Sequence, residues 1–411
     1  MHFFDYREGE LCCEEVRLSA IAEQVGTPVY VYSQRTLERH VGVFDGAFAD
    51  TPHLVCYAVK ANSNQTVLRR FADWGLGFET VSGGELFRVF EAGASPDRVI
   101  FSGVGKTPDE IRFGLDAGIL FFSVESYSEL ELISRVAKEQ GTVASVLFRT
   151  NPDVDPQTHP YISTGLRHHK FGIPLSETRG MYGDARQMPG IDIVGIGCHI
   201  GSQITELAPF EQALVGITRL VADLKQDGFD LKYLDFGGGL GIPYADEEPP
   251  SPEAYGQVVR RATDGLGLTL VLEPGRVIVG NAGVLLSRVL LRKSQGTKQF
   301  AIVDAGMNDL IRPALYGSFH KLMPIRPGKE REVVDVVGPI CESSDFLAQD
   351  REMERLEPGD LLAIMSAGAY GFSLASNYNS RPRPPEVLVD GDKFTVVRRR
   401  ETYSDLIRLE E

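Results

Sequence analysis

The sequence predicts an α/β protein, a (β/α)8 barrel of TIM type, with a second, mainly β domain at its C-terminal end. Three observations predict this class. Eight short β-rich segments lie between residues 53 and 276. Segments with the helical spacing of apolar residues separate them. Beyond about residue 280, short strands with turns between them replace this alternation. Strands that alternate with helices over this length are typical of the barrel.

The eight candidate strands share one plan, since each ends in Gly, Ser, Asn or a charged residue. They are HLVCYAVK (53–60), LGFETVS (76–82), VIFSG (99–103), LFFSVES (120–126), ASVLFRTN (144–151), DIVGIGCHIGS (192–202), LKYLDFGGG (231–239) and LTLVLEPGR (268–276). The first five strand ends recur every 21 to 25 residues, at positions 60, 82, 103, 126 and 151. A doubly wound open sheet is the alternative arrangement of the same elements.

The helical segments and the later strands set the expected domain limits. SYSELELISRVAKEQG opens with serines suited to capping and closes on Gly141, as a helix should. TPVYVYS (27–33) reads as a strand, and DG at 390–391 is a hairpin signal. We expect a barrel over residues 35–275, and a mainly β domain built from 1–34 and 276–411.

Composition excludes several classes of function. The formal net charge of -15 argues against nucleic acid and anionic membranes as partners. No apolar run approaches the roughly 20 residues that span a bilayer, and the N-terminus has no apolar signal core. The five cysteines are odd in number and scattered, which is typical of reduced thiols, so we expect a cytoplasmic location and no disulfides. The histidines show no ligand spacing, so we expect no metal.

Polar residues with distinct chemistry fall at the strand ends, where barrels carry their active sites. Lys60 offers an amine that can condense with a carbonyl to give a Schiff base, which pyridoxal phosphate requires together with a phosphate cradle and a partner for its ring nitrogen. Gly237–Gly239 offers such a cradle, Glu273 such a partner, and His199 a ring to lie against the cofactor. The alternatives are a solvated lysine, a tight glycine turn, a surface Pro-Gly turn and a core histidine.

The second domain adds further candidates. Cys341 is a proton donor or a small buried hydrophobe, and Glu342 either binds an amine or is solvated. Tyr370 lies between glycines in GAYG, and Arg312 and Tyr316 are four residues apart. Arginine suits bidentate carboxylate binding, although a surface position is the alternative.

Taken together, these motifs resemble the alanine-racemase-like, fold type III pyridoxal-phosphate decarboxylases over nearly the whole chain. The motifs appear in family order: YAVKAN, HPYISTG with KFG, HIGSQ, GGGLGIPY, EPGRVIVGNAG, DAGMNDLIRPALYG, VVGPICESSDF and GAYGFSLASNYNSRPRPPEVLV. EPGRVIVGNAG and MNDLIRPALYG are the most specific, because they distinguish one branch from the related ornithine and arginine decarboxylases. HPYISTG is expected on a loop over the pocket.

The resemblance implies a role for each candidate residue. Lys60 bears pyridoxal 5'-phosphate as a Schiff base, and Glu273 pairs with its ring nitrogen. Cys341 donates the proton after carbon dioxide leaves, and Glu342 faces the distal amine. The remaining roles are ring stacking by His199, phosphate binding by Ser202, Gly237, Gly238, Gly239 and the backbone of Glu273, Pro274, Gly275 and Arg276, carboxylate binding by Arg276, Arg312 and Tyr316, and contact with both ligands by Tyr370.

The resemblance also implies a substrate and an assembly. The expected substrate is the small molecule meso-diaminopimelate, decarboxylated at its D-configured centre to L-lysine. Cys341 and Glu342 are expected to enter the site from the neighbouring subunit of a homodimer with shared active sites. The alternatives are another decarboxylase of the same fold, acting on carboxynorspermidine, ornithine, arginine or a carrier-bound amino acid, and a pyridoxal-phosphate-binding protein without turnover.

Overall fold

A computed structural model describes residues 2–155, 170–328 and 330–410. HPYISTG, with its expected position over the pocket, lies outside the described residues. The chain divides into two compact units. The barrel unit comprises Gly42–Gly241 and Glu248–Gly275, and the β unit comprises Met1–Val41, Ile242–Glu247 and Arg276–Glu411.

The strands are numbered here in chain order. They are β1 Phe4–Arg7, β2 Glu10–Cys13, β3 Val16–Arg17, β4 Val29–Ser33, β5 His53–Ala58, β6 Gly77–Thr80, β7 Val99–Phe101, β8 Phe121–Val124, β9 Ala144–Asn151, β10 Ile173–Pro174, β11 Ile191–Gly197, β12 Tyr233–Asp235, β13 Thr269–Leu272, β14 Gly283–Gln295, β15 Lys298–Val303, β16 Leu322–Pro324, β17 Arg331–Val337, β18 Phe346–Glu354, β19 Leu361–Ile364, β20 Glu386–Asp390 and β21 Lys393–Arg398.

The α-helices are numbered in the same way. They are α1 Leu18–Val25, α2 Gln34–Gly46, α3 Gln65–Asp73, α4 Gly83–Glu91, α5 Pro108–Ala117, α6 Tyr127–Gln140, α7 Leu175–Ala185, α8 Ala208–Gln226, α9 Pro252–Thr263, α10 Arg276–Val279, α11 Arg312–Tyr316 and α12 Tyr403–Leu406. In the part of the chain that the structure describes, none of these helices is long and apolar enough to cross a lipid bilayer.

The barrel unit is a closed ring of eight parallel strands. The order around the ring is β5, β6, β7, β8, β9, β11, β12 and β13, and β13 pairs with β5 to close it. Helices α3 to α9 lie between successive strands in the chain. The predicted (β/α)8 barrel is therefore confirmed, and the open-sheet alternative is wrong because an open sheet would leave β5 and β13 as edges.

The barrel core follows from the alternation of side chains along each strand. Leu54 and Cys56 on β5 pack with Ile100 of β7, Leu147 of β9 and Val271 of β13 in one buried cluster. Side chains two residues apart point to the same side of a strand. Because the strands are parallel, their carboxyl ends lie at one face of the ring, and polar residues gather there.

The β unit is built around a mixed sheet, as the mainly β prediction requires. Its strands follow the order β18, β17, β15, β14, β4, β20 and β21, with β16 and β19 paired beside β14. Strand β4 comes from the N-terminal segment and lies between β14 and β20, antiparallel to the first and parallel to the second. Strands β1, β2 and β3 form a separate small sheet.

Candidate active site

Lys60 lies just beyond the first barrel strand, in the 3-10 turn Val59–Ala61. Its Nζ is 2.6 Å from Oε2 of Glu79, which lies on the neighbouring strand β6. The Glu79 side chain is 2% exposed and that of Lys60 is 42% exposed. A buried carboxylate thus holds a partly exposed amine at the carboxyl ends of the strands. Such a pair offsets the desolvation cost of the acid.

His199 lies after β11 with its ring neutral. Its Nδ1 accepts a hydrogen bond from the backbone N–H of Gly238 at 3.1 Å, so the ring proton of the neutral tautomer is on Nε2. Burial lowers the pKa of the imidazole well below its usual value, and the positive charges of Arg149 and Lys60 act in the same direction. The ring is therefore a flat, uncharged surface at physiological pH.

The glycine turn after β12 has no room for larger residues. Gly237 has a φ of +65°, in the left-handed region. A Cβ on Gly238 would lie 2.3 Å from the carbonyl oxygen of Glu273, and one on Gly239 would lie 2.5 Å from that of Gly201. The Gly239 carbonyl also accepts a hydrogen bond from the Ile204 N–H at 2.9 Å. The turn therefore packs against the segment that carries Ser202.

Glu273 follows β13 and is accompanied by a second buried acid, Asp235 at the end of β12. Burial raises the pKa of Glu273 well above its usual value, and the negative charges of Asp235 and Glu79 raise it further. Burial also raises the pKa of Asp235, to about 6, although its Oδ1 accepts the Gly237 N–H at 2.8 Å. Ionisation of both carboxyl groups would place two negative charges close together in a buried site, so one of the two tends to stay protonated.

These barrel residues surround a common small space. Arg149, His199, Asp235 and Glu273 line one small polar pocket. Pro274 continues the wall, since its carbonyl accepts the N–H of Ala58, two residues before Lys60, at 3.1 Å. The structure therefore brings together the lysine, the histidine, the glycine turn and the Glu273–Gly275 segment. An amine, a neutral ring and a buried carboxylic acid are the groups that a cofactor with an aldehyde and a basic ring nitrogen needs.

The β unit gathers a second set of predicted residues around two buried guanidinium groups. Arg276 is 6% exposed and Arg312 is 5% exposed. The Arg276 guanidinium lies 4.9 Å from the ring centre of Tyr370, and that of Arg312 lies 5.9 Å from Tyr316. Burial lowers the pKa of Arg312, and the charge of Arg276 lowers it further. Buried cations grouped in this way bind anions such as carboxylates.

Tyr370 is held in an uncommon backbone conformation. Its φ is +55°, in the left-handed region that residues other than glycine seldom adopt. A Cβ on Gly368 would lie 2.0 Å from the carbonyl oxygen of Val279, so only glycine fits there. Strain of this kind persists where the surrounding structure fixes it, and it clusters at ligand sites.

Cys341 and Glu342 lie together on an exposed segment of the β unit. The Cys341 N–H donates to Oδ1 of Asn379 at 2.7 Å, and the Tyr378 hydroxyl lies 3.3 Å from Oε2 of Glu342. Both residues are exposed in the single chain. Of the cysteines, Cys341 is the exposed one and the other four are buried.

Four residues of these sets were not selected from the sequence: Glu79, Arg149, Asp235 and Tyr244. Glu79 and Asp235 are acids within buried strands, and an acid in an apolar strand was a usable signal. Tyr244, 7% exposed, accepts a hydrogen bond from Nη1 of Arg276 at 2.7 Å. Tyr244 ends the GGGLGIPY motif, but no local pattern connects it with Arg276, because the two residues are 32 positions apart.

Comparison with known proteins places this geometry in a family. The profile described as "Pyridoxal-dependent decarboxylase, pyridoxal binding domain" matches residues 34–280. The diaminopimelate decarboxylase of Vibrio cholerae is 51% identical, covering 100% of this chain and 99% of its own. That of Pseudomonas aeruginosa is 53% identical, covering 99% and 98%. The crystal structure of the Helicobacter pylori diaminopimelate decarboxylase with L-lysine has a TM-score of 0.93 at 42% identity, covering 96% of this chain and 99% of that one.

The profile match includes Lys60, His199, the glycine turn and Glu273, which are the residues that the barrel unit brings together. The whole-length relatives extend the likeness through the β unit and its buried arginines. The chain therefore belongs to the pyridoxal-dependent decarboxylase family.

Proposed function

We propose that this chain decarboxylates meso-2,6-diaminopimelate at its D-configured carbon and releases carbon dioxide and L-lysine, in the last step of lysine biosynthesis. The observation that carries the proposal is whole-length likeness: relatives named diaminopimelate decarboxylase are 51% and 53% identical over essentially the full chain. The H. pylori neighbour, whose structure contains L-lysine, supports the same reaction.

We propose pyridoxal 5'-phosphate as the cofactor, and the barrel residues fit it. When bound, it supplies an electron-accepting ring that stabilises the electron pair left on Cα when carboxylate departs. Lys60 offers the amine for attachment, and Ser202 with Gly237–Gly239 and the backbone of Glu273–Arg276 would hold the phosphate. The turn fits because its glycines carry no Cβ, which would collide with the neighbouring backbone; the Gly237 and Gly238 N–H groups already donate to Asp235 and His199.

The acids of the barrel suit a basic ring nitrogen. Glu273 is buried with its pKa raised, so a protonated nitrogen beside it would let the carboxylate ionise and hold that proton in place. Asp235 supports Glu273 by sharing the local proton. His199, neutral and fixed by Gly238, presents a face that lies against a ring without adding positive charge.

We propose that the β unit supplies the substrate-binding groups. In this proposal the substrate carboxylate is bound by Arg276, Arg312 and Tyr316. Tyr370 contacts both the cofactor and the substrate. Support comes from the two buried guanidiniums and the tyrosines around them. Selecting the D end of a meso compound requires firm anchoring of its L end, and charged partners that would be left unpaired reject analogues strongly.

We propose that Cys341 and Glu342 act across a homodimer interface, Cys341 as the proton donor to Cα and Glu342 as the partner of the distal amine. Their exposure in the single chain supports this role, since a thiol that protonates Cα from one side has to be screened from water. The homodimer is thus part of the proposal, and so is the contribution of the β unit to its interface.

A steady-state assay with purified holoenzyme tests the function. meso-Diaminopimelate is expected to yield L-lysine and carbon dioxide in equal amounts, while the L,L isomer yields neither. Ornithine, arginine and carboxynorspermidine serve as competing substrates at matched concentration. The proposal fails if meso-diaminopimelate gives no lysine while one of these amines is decarboxylated, or if no amino acid in the set is turned over.

A further inference from the structure

Tyr244 lies between the two buried guanidiniums of the β unit. Its hydroxyl oxygen accepts a hydrogen bond from Nη1 of Arg276 at 2.7 Å. The guanidinium carbon of Arg312 lies 5.0 Å from the centre of its ring. One phenol therefore contacts Arg276 through its oxygen and Arg312 through its π system. Cations within about 6 Å of a tyrosine ring are attracted to its face.

Arg312 has few partners of its own. Its Nη2 donates to the Ser318 hydroxyl at 3.2 Å. Within residues 2–155, 170–328 and 330–410, its buried Nε makes no hydrogen bond and no Asp or Glu forms an ion pair with it. A buried guanidinium with unused donors next to a second one is costly unless an anion binds.

The surroundings of Tyr244 fix its backbone and add no further positive charge. The backbone N–H groups of Tyr244 and Ala245 both donate to Oε2 of Glu247, at 2.9 and 2.6 Å. The ring of His320 meets that of Tyr244 edge-on, at 5.2 Å and 79°. Burial lowers the pKa of His320 to about 3, so this neighbour is neutral at the pH of the assay. The two arginines are therefore the only cations that the phenol contacts among the described residues.

We propose that Tyr244 is a specificity-determining positioning residue. It holds the guanidinium groups of Arg276 and Arg312 in the orientation in which both bind one carboxylate of the substrate. The inference rests on the proposed function and deepens it. Tyr244 itself makes no contact with the reacting carbon. Loss of its hydroxyl frees Arg276 to rotate, and loss of its ring also removes the contact with Arg312. Both changes weaken recognition of a carboxylate and leave recognition of an amine intact.

Two ligands that differ by one carboxylate test this assignment directly. L-Lysine and 1,5-diaminopentane share a five-carbon chain and two amines, and only L-lysine carries the carboxylate. For the Tyr244→Phe holoenzyme we expect the inhibition constant of L-lysine to rise about tenfold, the size expected for a lost hydrogen bond to a charged group. The constant for 1,5-diaminopentane should stay within about twofold. Tyr244→Leu should raise the L-lysine constant further.

Kinetics and calorimetry separate positioning from general damage. The KM for meso-diaminopimelate should rise in parallel with the L-lysine constant, while kcat changes less than about threefold. Calorimetric titration with L-lysine should show the same loss without turnover. Tyr255→Phe is the matched control, since the Tyr255 hydroxyl is buried in the barrel unit without a hydrogen bond to any described residue. This variant should leave both inhibition constants unchanged.

Two outcomes would overturn the assignment. One is a Tyr244→Phe enzyme that binds L-lysine like the wild type. The other is an equal weakening of both ligands, which indicates a structural role alone. Tyr244→Phe keeps the buried ring, so the test stands even if Tyr244→Leu does not fold. A wild-type enzyme that fails to convert meso-diaminopimelate contradicts the proposed function instead, and L-lysine calorimetry then still decides the role of Tyr244.

Discussion

Lys60 and Glu79 illustrate how single residues acquire chemistry from neighbours that are distant in the chain. The lysine alone reads as an ordinary solvated residue at a strand end. Glu79 lies on the adjacent strand with its side chain 2% exposed, and its Oε2 is 2.6 Å from the Lys60 Nζ. Its negative charge also helps to raise the pKa of Glu273. An activated amine depends on such a partner. The chemistry of Lys60 therefore depends on the buried carboxylate beside it as well as on its own amine.

Burial of a neutral histidine gives one prediction for stability. His320 is fully buried, with Nδ1 2.8 Å from the Met365 carbonyl and a pKa lowered to about 3 by burial. Below pH 6.5 the unfolded chain binds a proton at this residue and the folded chain does not. Stability therefore falls as pH drops from about 6.5 toward 3, by on the order of 2 kcal/mol at pH 5 from this group alone.

His320→Asn keeps a donor for the Met365 carbonyl and removes the titration. We expect this variant to be less stable than the wild type at pH 8, because it leaves a cavity. The difference should shrink by on the order of 2 kcal/mol at pH 5. Urea unfolding at both pH values measures it. Equal losses for the two proteins between pH 8 and pH 5 would show that His320 does not carry this pH dependence.

At the scale of elements, the sequence predicted what local patterns control. Seven of the eight barrel strands lie within their predicted segments, and β11 begins one residue before its segment, at Ile191. The agreement arises because a β-rich run that ends in Gly or a polar residue marks the carboxyl end of a buried parallel strand. Helix α6 begins as expected, with the Ser126 hydroxyl accepting the Glu129 N–H at 3.2 Å, and ends at Gly141 with a φ of +65°. The Asp-Gly hairpin joins β20 to β21.

Elements without a local pattern were missed. Strand β18 reads FLAQDREME, in which charged residues hide the alternation, and its place in the sheet depends on pairing with β17. The turn Val59–Ala61 ends strand β5 two residues before Lys60, earlier than the apolar run suggests. Tyr244 was missed for the same reason, since its role depends on partners on other elements, whereas Glu79 and Asp235 carried a local signal, an acid within an apolar strand.

Over the whole molecule, the local charge in the β unit has the opposite sign to the net charge of the chain. The chain carries a formal net charge of -15, yet the β unit buries Arg276 and Arg312 beside each other. Diaminopimelate has two carboxylates and two ammonium groups and therefore no net charge near neutral pH, so a positive potential is needed only locally, where one of its carboxylates binds. The cost of burying these cations is a reason to expect that they are retained for binding.

The proposed shared sites of a homodimer give a prediction at the same scale. Lys60→Ala and Cys341→Ala should each lose nearly all activity, for different reasons. After the two variants are mixed and exchange subunits, activity should recover to about a quarter of the wild-type level, because a heterodimer contains one site with both residues intact. Recovery is measured as lysine production from meso-diaminopimelate. Absence of recovery despite demonstrated subunit exchange would contradict sharing.

The proposed chemistry depends on attachment of pyridoxal phosphate to Lys60, which a chemical trapping experiment can locate. Borohydride reduction of the holoenzyme, followed by digestion and mass spectrometry, fixes the cofactor to the residue that bears it. We expect a single modified peptide, carrying the adduct on Lys60, and no adduct in the Lys60→Ala variant. An adduct on any other lysine, or one that persists in Lys60→Ala, would show that Lys60 does not bear the cofactor.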